Sequence, residues 1–118
     1  MAGKVSHFEI HGKNGKKSQE FYASLFGWKV DANNPMNYGM VAGMDGGIGG
    51  GVREVQPGGA PMVTVYVEVA DLDAALKKAE SLGGKMVAPP MDVPGGPTIA
   101  MMSDPDGNVV GLLKEGSM

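Results

Sequence analysis

The chain contains no cysteine. This excludes a disulfide framework, a thiolate nucleophile and a thiolate-held metal, and it fits a cytoplasmic setting by default. Aromatic residues are scarce, with three Phe, three Tyr and one Trp. Apolar filling therefore falls to aliphatic side chains and to ten methionines, which adapt to irregular shapes. No apolar run approaches the roughly 18 residues of a membrane helix, and the N-terminus carries no signal-peptide core. Basic residues are not in excess. Ten Lys and Arg against 13 Asp and Glu leave a net charge of −3, with the lysines scattered, so neither nucleic acid nor a membrane is an expected partner. Histidines number two.

Both histidines fall in one short stretch, Val5-Ser6-His7-Phe8-Glu9-Ile10-His11. Its polarity alternates. On a strand, successive side chains point to opposite faces, so His7, Glu9 and His11 share one face and Phe8 and Ile10 the other. Imidazole chemistry, if the chain performs any, starts from this strand. Gly12 to Gly15 is a turn cluster with Asn14 as a helix cap, and Lys16 to Phe26 has helical spacing, with Phe21, Tyr22, Leu25 and Phe26 on one face. Gly27 ends that helix. Short strands are predicted at 28–31, 37–42 and 48–52, the last almost without side chains, with Asp45-Gly46-Gly47 as a turn. The tract Gly46 to Gly51 lacks the GK[ST] ending of a phosphate loop and a following helix. Its glycines imply close approach of a ligand or a neighbouring backbone.

The segment 56–61 is a Pro/Gly linker, and beyond it the same order returns. Met62 to Ala70 alternates, with Thr64, Tyr66 and Glu68 on one face and Val63, Val65, Val67 and Val69 on the other. Asp71 caps a helix reaching Leu82, whose buried side is Leu72, Ala75, Leu76, Ala79 and Leu82. Strands follow at 85–88, 98–103 and 108–113, with a Pro/Gly-rich loop over 89–97. Asp104-Pro105-Asp106-Gly107 is a type I turn sequence. The halves overlay directly, with His7 on Thr64 and Ile10 on Val67. The chain of 118 residues is thus one domain: a first module over about 4–55, the linker 56–61, and a second module over about 62–114.

Four stretches carry a resemblance: His7 to Ile10, Phe21-Tyr22 with Leu25 to Trp28, Val69 to Ala75, and Asp104 to Asn108. Together they resemble the vicinal oxygen chelate superfamily, which includes glyoxalases, bleomycin-resistance proteins and extradiol dioxygenases, and in particular its small glyoxalase-like members. The resemblance implies an α+β fold of two βαβββ modules forming an open, incompletely closed eight-stranded barrel around a cleft, and a homodimer. In metal-dependent members the ligands lie on the first and last strand of each module. Position by position they fall on His7, on Thr64, on Gly111 and within Ile48 to Gly51. One side chain capable of strong coordination remains, so no cofactor is expected; the alternative is a divalent metal held weakly with His7 as its ligand.

Two functions from different classes follow. The first is a small-molecule-binding protein that sequesters a partly apolar antibiotic or metabolite, with His7, Glu9, Thr64, Tyr66, Glu68, Trp28, Met40 and Met102 as ligand contacts. The second is a lyase, isomerase or epimerase acting beside a carbonyl, with His7 or Glu9 as the base. A competing structural role is open for several of these residues: Trp28 as the cap of its helix, Met102 as core filling, and Glu9 and Glu68 as solvated carboxylates.

Overall fold

Short polar side chains set both helix starts in the computed structural model, which describes residues 2–117. In the first helix, α1 (Gly15–Phe26), the Asn14 side chain accepts from Lys17 N at 3.1 Å. Gly27 closes it in the left-handed region at φ 70, which costs a residue without Cβ nothing. In α2 (Leu72–Ser81), the Asp71 side chain accepts from Ala74 N at 3.0 Å, Asp73 lies in the first turn and Lys78 in the last. Both charges suit the helix dipole. The strands are β1 (Val5–Gly12), β2 (Val30–Asp31), β3 (Gly39–Val41), β4 (Gly49–Glu54), β5 (Met62–Val69), β6 (Lys85–Asp92), β7 (Thr98–Ser103) and β8 (Val109–Lys114). The element order is βαβββ twice over, as the internal repeat predicts.

The chain divides into two compact units, His7–Thr64 and residues from Val65 onward together with those preceding His7. Within the first, the strand order is β2-β3-β4-β1. β1 runs parallel to β4 with His7 opposite Gly49 and Glu9 opposite Gly51. β4 runs antiparallel to β3 with Met40 opposite Gly51. The hairpin between β3 and β4 turns at Asp45 and Gly46, both at positive φ (50 and 80), with Gly47 N donating to Met44 O at 2.7 Å. This is the type I′ geometry whose twist matches paired strands. A strand as poor in side chains as β4 survives because its backbone is hydrogen-bonded on both flanks.

Within the second unit, the order is β5-β8-β7-β6, with Tyr66 opposite Gly111 and Gly111 opposite Met101. Its core is Leu72, Leu76, Ala100 and Leu112, with Val69, Ala75 and Met102 packed against it. The Asp104 carboxylate ties the turn before β8. It accepts from Asp106 N (2.9 Å), Asn108 N (2.8 Å) and the Asn108 amide (2.9 Å), and the Asn108 bonds hold its carboxyl below the usual range.

Two expectations change. The strand predicted at 85–88 continues through Pro89 and Pro90 to Asp92. β6 is at the end of the strand order, and the ladder shifts register around Ala88, so an edge position and a bulge absorb the missing N–H groups. Leu82, expected on the buried side of the second helix, is 70% exposed. It is the C-cap, past the last helical turn.

Candidate functional site

The strictly alternating β1 places His7, Glu9 and His11 on one face, with Gly51 and Met40 in the same row as Glu9. Glu9 is 5% exposed. A buried carboxylate needs hydrogen-bond donors, and two side chains supply them here. His11 Nε2–H donates to Glu9 Oε1 at 2.6 Å, and the Tyr38 hydroxyl donates to Glu9 Oε2 at 2.8 Å. Tyr38 Oη is also 2.8 Å from His7 Nε2. Because the single phenol proton is directed at Glu9, the hydrogen in this last bond belongs to His7 Nε2, which assigns the tautomer. The result is a continuous chain of hydrogen bonds, His7–Tyr38–Glu9–His11, along which a proton can pass between two imidazoles through a phenol and a carboxylate.

Tyr38 is the member that pattern reasoning on β1 missed. Its place is made by glycine. A Cβ added to Gly51 would fall on Tyr38 Cζ and Oη, and one added to Gly50 would fall on the Phe8 ring. The bare strand therefore hosts Tyr38 on the polar face and Phe8 on the other, in the role assigned beforehand to a ligand or a backbone. The backbone of Tyr38 is held by one side chain: Asn34 Oδ1 accepts from Tyr38 N (2.9 Å) and Asn34 Nδ2 donates to Tyr38 O (2.7 Å). Gln19 of α1 bridges Asn37 O and Val52 O, so the helix braces the same corner. The signal for Tyr38 was present in the sequence: counting outward from the Asp45-Gly46 turn sets Met40 opposite Gly51 and brings Tyr38 beside it.

The second module repeats the device. A Cβ at Gly111 would overlap the Tyr66 ring, and Tyr66 is 5% exposed. The overlay that sets His7 on Thr64 sets Glu9 on Tyr66, so Gly51 and Gly111, their opposite numbers on β4 and β8, are equivalent positions. The resemblance places one ligand at Gly111 and another within Ile48 to Gly51, the stretch that includes Gly51, and neither glycine carries a side chain. Among the described residues, no group of three or more His, Asp or Glu side chains is arranged to hold a metal ion.

The remaining expected site residues separate. Thr64 is buried on β5, and Glu68 lies 3.9 Å from Lys4 Nζ. Met40 stands on the His7–Glu9 face, 55% exposed. Trp28 stacks on Tyr22 at a centroid distance of 5.9 Å and packs at a tilt against Phe8 and Phe26 at 5.4 and 5.1 Å. Phe8 points away from the His7 face by alternation, and so does this cluster. Met102 packs on the α2 core, while its neighbour Met101 is the one opposite Gly111. A depression of about 680 Å³, lined by Lys16, Gln19, Met36, Tyr38, Arg53 and Glu54 among others, lies at the α1 start. It does not include His7 or Glu9, but it shares Tyr38 with them.

Burial holds the His7 imidazole below its ordinary value of 6.5, and the Glu9 charge pulls it partly back. The unfolded chain therefore takes up this proton at a higher pH than the folded one. The corresponding stability is complete above about pH 6.5 and is lost as the pH falls below it, toward the folded value. The melting temperature of the wild type is expected to decline between about pH 7.5 and about pH 5.5. The decline should be shallower in His7→Gln, and equal slopes would contradict the assignment.

Comparison with known proteins places the chain in a family. Residues 4–112 match the family described as the Glyoxalase/Bleomycin resistance protein/Dioxygenase superfamily. The protein named "Putative glyoxylase CFP32" from Mycobacterium tuberculosis is 36% identical over 117 residues, which cover 93% of this chain and 45% of that protein. "Anthracycline biosynthesis protein DnrV" from Streptomyces peucetius is 29% identical over 133 residues, covering 98% and 48%. The chain spans about half the length of these curated relatives. Among solved structures, a member of the same superfamily from Vibrio splendidus 12B01 matches with a TM-score of 0.66 at 16% identity, over 96% of this chain and 99% of that one. Methylmalonyl-CoA epimerase from Mycobacterium tuberculosis matches with a TM-score of 0.68 at 15% identity, over 93% and 86%. These structural likenesses establish the fold: α+β, in two βαβββ modules.

Proposed function

Because the chain belongs to the Glyoxalase/Bleomycin resistance protein/Dioxygenase superfamily, we propose that it is a metal-independent member that binds or sequesters a small, partly apolar ligand, such as an antibiotic or metabolite. The observation that carries this is the placement of Tyr38 in the side-chain space of Gly51, where it joins His7 and Glu9 into one hydrogen-bonded polar wall. The donor set does not fit the family's metal: of the expected ligand positions, His7 alone keeps an imidazole, and its Nε2 is engaged by Tyr38. Polar contacts are assigned to His7, Glu9 and Tyr38 and apolar ones to Met40, with Thr64, Tyr66 and Glu68 as further candidates on chemistry alone. No helix of the described residues is long and apolar enough to cross a membrane. A cytoplasmic homodimer belongs to the same proposal. It is supported by the absence of cysteine and by relatives about twice as long as this chain, which is the length a pair of chains would supply.

A ligand that binds the native state must raise the melting temperature, by an amount set by its concentration over Kd. A thermal-shift screen of antibiotics and metabolites, run with and without chelator, is expected to return at least one compound whose shift survives chelation and shrinks in Tyr38→Phe. Light scattering on the same preparation should give twice the chain mass. A screen in which no compound shifts the midpoint would remove the proposal's support.

A second reading is favoured by one observation, the buried Glu9 with its two short bonds. It is an enzyme acting beside a carbonyl, with His7 or Glu9 as the base and the phenol as the link between them. Turnover unchanged in His7→Ala and Glu9→Gln would exclude it.

A further inference from the structure

We propose that the depression at the start of α1 receives the charged end of an organic acid, so that the ligand of this protein is a carboxylate with an apolar body and Arg53 is the residue that selects it. The inference rests on the small-molecule reading above and names the class of ligand. The depression has a volume of about 680 Å³, within the roughly 300–1,000 Å³ of small-molecule sites. Two cations line it, Lys16 and Arg53. Neither forms an ion pair among the described residues, where the pairs are Lys4 with Glu68 and His11 with Glu9. One anion shares the lining, Glu54, and it is already engaged: its Oε1 accepts from Gly15 N at 3.1 Å. That bond and the Asn14 bond to Lys17 N take up two of the first amides of α1. Attraction for an incoming anion therefore falls to the Lys16 and Arg53 side chains rather than to the helix end. Two positive charges against one give this lining an excess of the sign opposite to the chain's net charge of −3.

Arg53 also ties the depression to the polar wall. It stands opposite His11 in the parallel β1–β4 ladder, so its side chain leaves β4 on the face that carries His7, Glu9 and Gly51. Tyr38 borders the depression and bonds to both His7 and Glu9. A ligand anchored at Arg53 thus meets the residue that links the wall. A guanidinium presents N–H groups in a fixed fork that a carboxylate accepts two at a time. Arg53 Nε donates to Glu54 O at 3.2 Å, which leaves its two Nη groups for the acid. Ala32, Met36 and Val55 supply the apolar contact, and Met36 is 57% exposed, an adaptable side chain held ready for an irregular shape. An inorganic anion would leave these apolar contacts unused.

The test is calorimetric titration with 2-naphthoate, 4-phenylbutyrate and octanoate, each beside its primary amide, at low and high sodium chloride. The proteins are the wild type, Arg53→Gln, Arg53→Lys, Lys16→Gln, Tyr38→Phe and Lys17→Gln, the last an exposed lysine of the same helical turn outside the lining. At least one acid is expected to bind about tenfold or more tightly than its amide, and to lose about tenfold in Arg53→Gln. Arg53→Lys should recover part of the loss, since it keeps the charge without the fork. Lys16→Gln should weaken the acid less than Arg53→Gln does, and added salt should weaken the acid but not the amide. Lys17→Gln should change affinity by no more than about twofold. The inference is overturned if no acid binds, if acid and amide bind equally, or if Lys17→Gln costs as much as Lys16→Gln, a comparison that holds even where Arg53→Gln fails to fold. Amides that bind as tightly as acids and weaken in Tyr38→Phe would sink this inference and leave the small-molecule reading in place. Acid binding that needs Arg53 but disappears on chelation would do the reverse, removing the metal-independent reading and keeping the carboxylate selectivity.

Discussion

Leu112→Ala is expected to destabilise the protein by about 2–5 kcal/mol, the range for truncating a buried leucine whose surroundings collapse only partly. Leu112 is 5% exposed, sits opposite Val67 on β5 and Ala100 on β7, and packs with Leu72 and Leu76 of α2. It therefore joins three strands to the one helix that covers them. In a chain of this size, each kcal/mol moves the midpoint by roughly 4 °C, so the melting temperature should fall by about 8–20 °C. Leu82→Ala is the matched control. That leucine is 70% exposed, and its loss should change stability by no more than about 0.5 kcal/mol. Equal midpoints for the two variants would refute the assignment of the core.

Glu9→Ala is the second large effect, and its origin is polar. The substitution removes the acceptor for two partly buried donors, the Tyr38 hydroxyl and His11 Nε2. Hydrogen bonds to a charged group contribute about 1.5–3 kcal/mol each. Burying the carboxylate also has a desolvation cost, which a truncation recovers in part. The expected net loss in urea unfolding is therefore about 2–4 kcal/mol, below the sum of the two bonds. Glu9→Gln should cost less, since it keeps one acceptor, though its amide group meets the other donor head on. In a double-mutant cycle with Tyr38→Phe, the coupling should be about 1–2 kcal/mol. Additive losses would show that Tyr38 and Glu9 do not act together. Both Glu9 variants should also lose the ligand-induced thermal shift.

The fold was legible wherever a local rule decides. Asn14 and Asp71 announce helix starts, Gly27 a helix end, and alternation in β1 and β5 sorts their faces, because capping and period-two geometry depend only on neighbours in sequence. The β6 prolines misled because their tolerance depends on being at an edge, a property of strand order. The three polar residues of β1 were legible as one face. The surroundings of Trp28 and Met102 are set by partners that local rules do not name: Trp28 packs against Phe8, Tyr22 and Phe26, and Met102 against the α2 core.

Taken by itself, the sequence determined the repeat of βαβββ, the common face of His7, Glu9 and His11, and the bareness of the strand at Gly49 to Gly51, since each follows from residues a few positions apart. Only the tertiary structure decided what fills that bareness. Tyr38 reaches Glu9 and His7 across 29 and 31 positions of chain. It does so because the β3–β4 hairpin and the parallel β1–β4 ladder bring the three residues onto one face, and Gly51 leaves the gap between them. A run of glycines says that space is present; the register of the paired strands says whose side chain enters it.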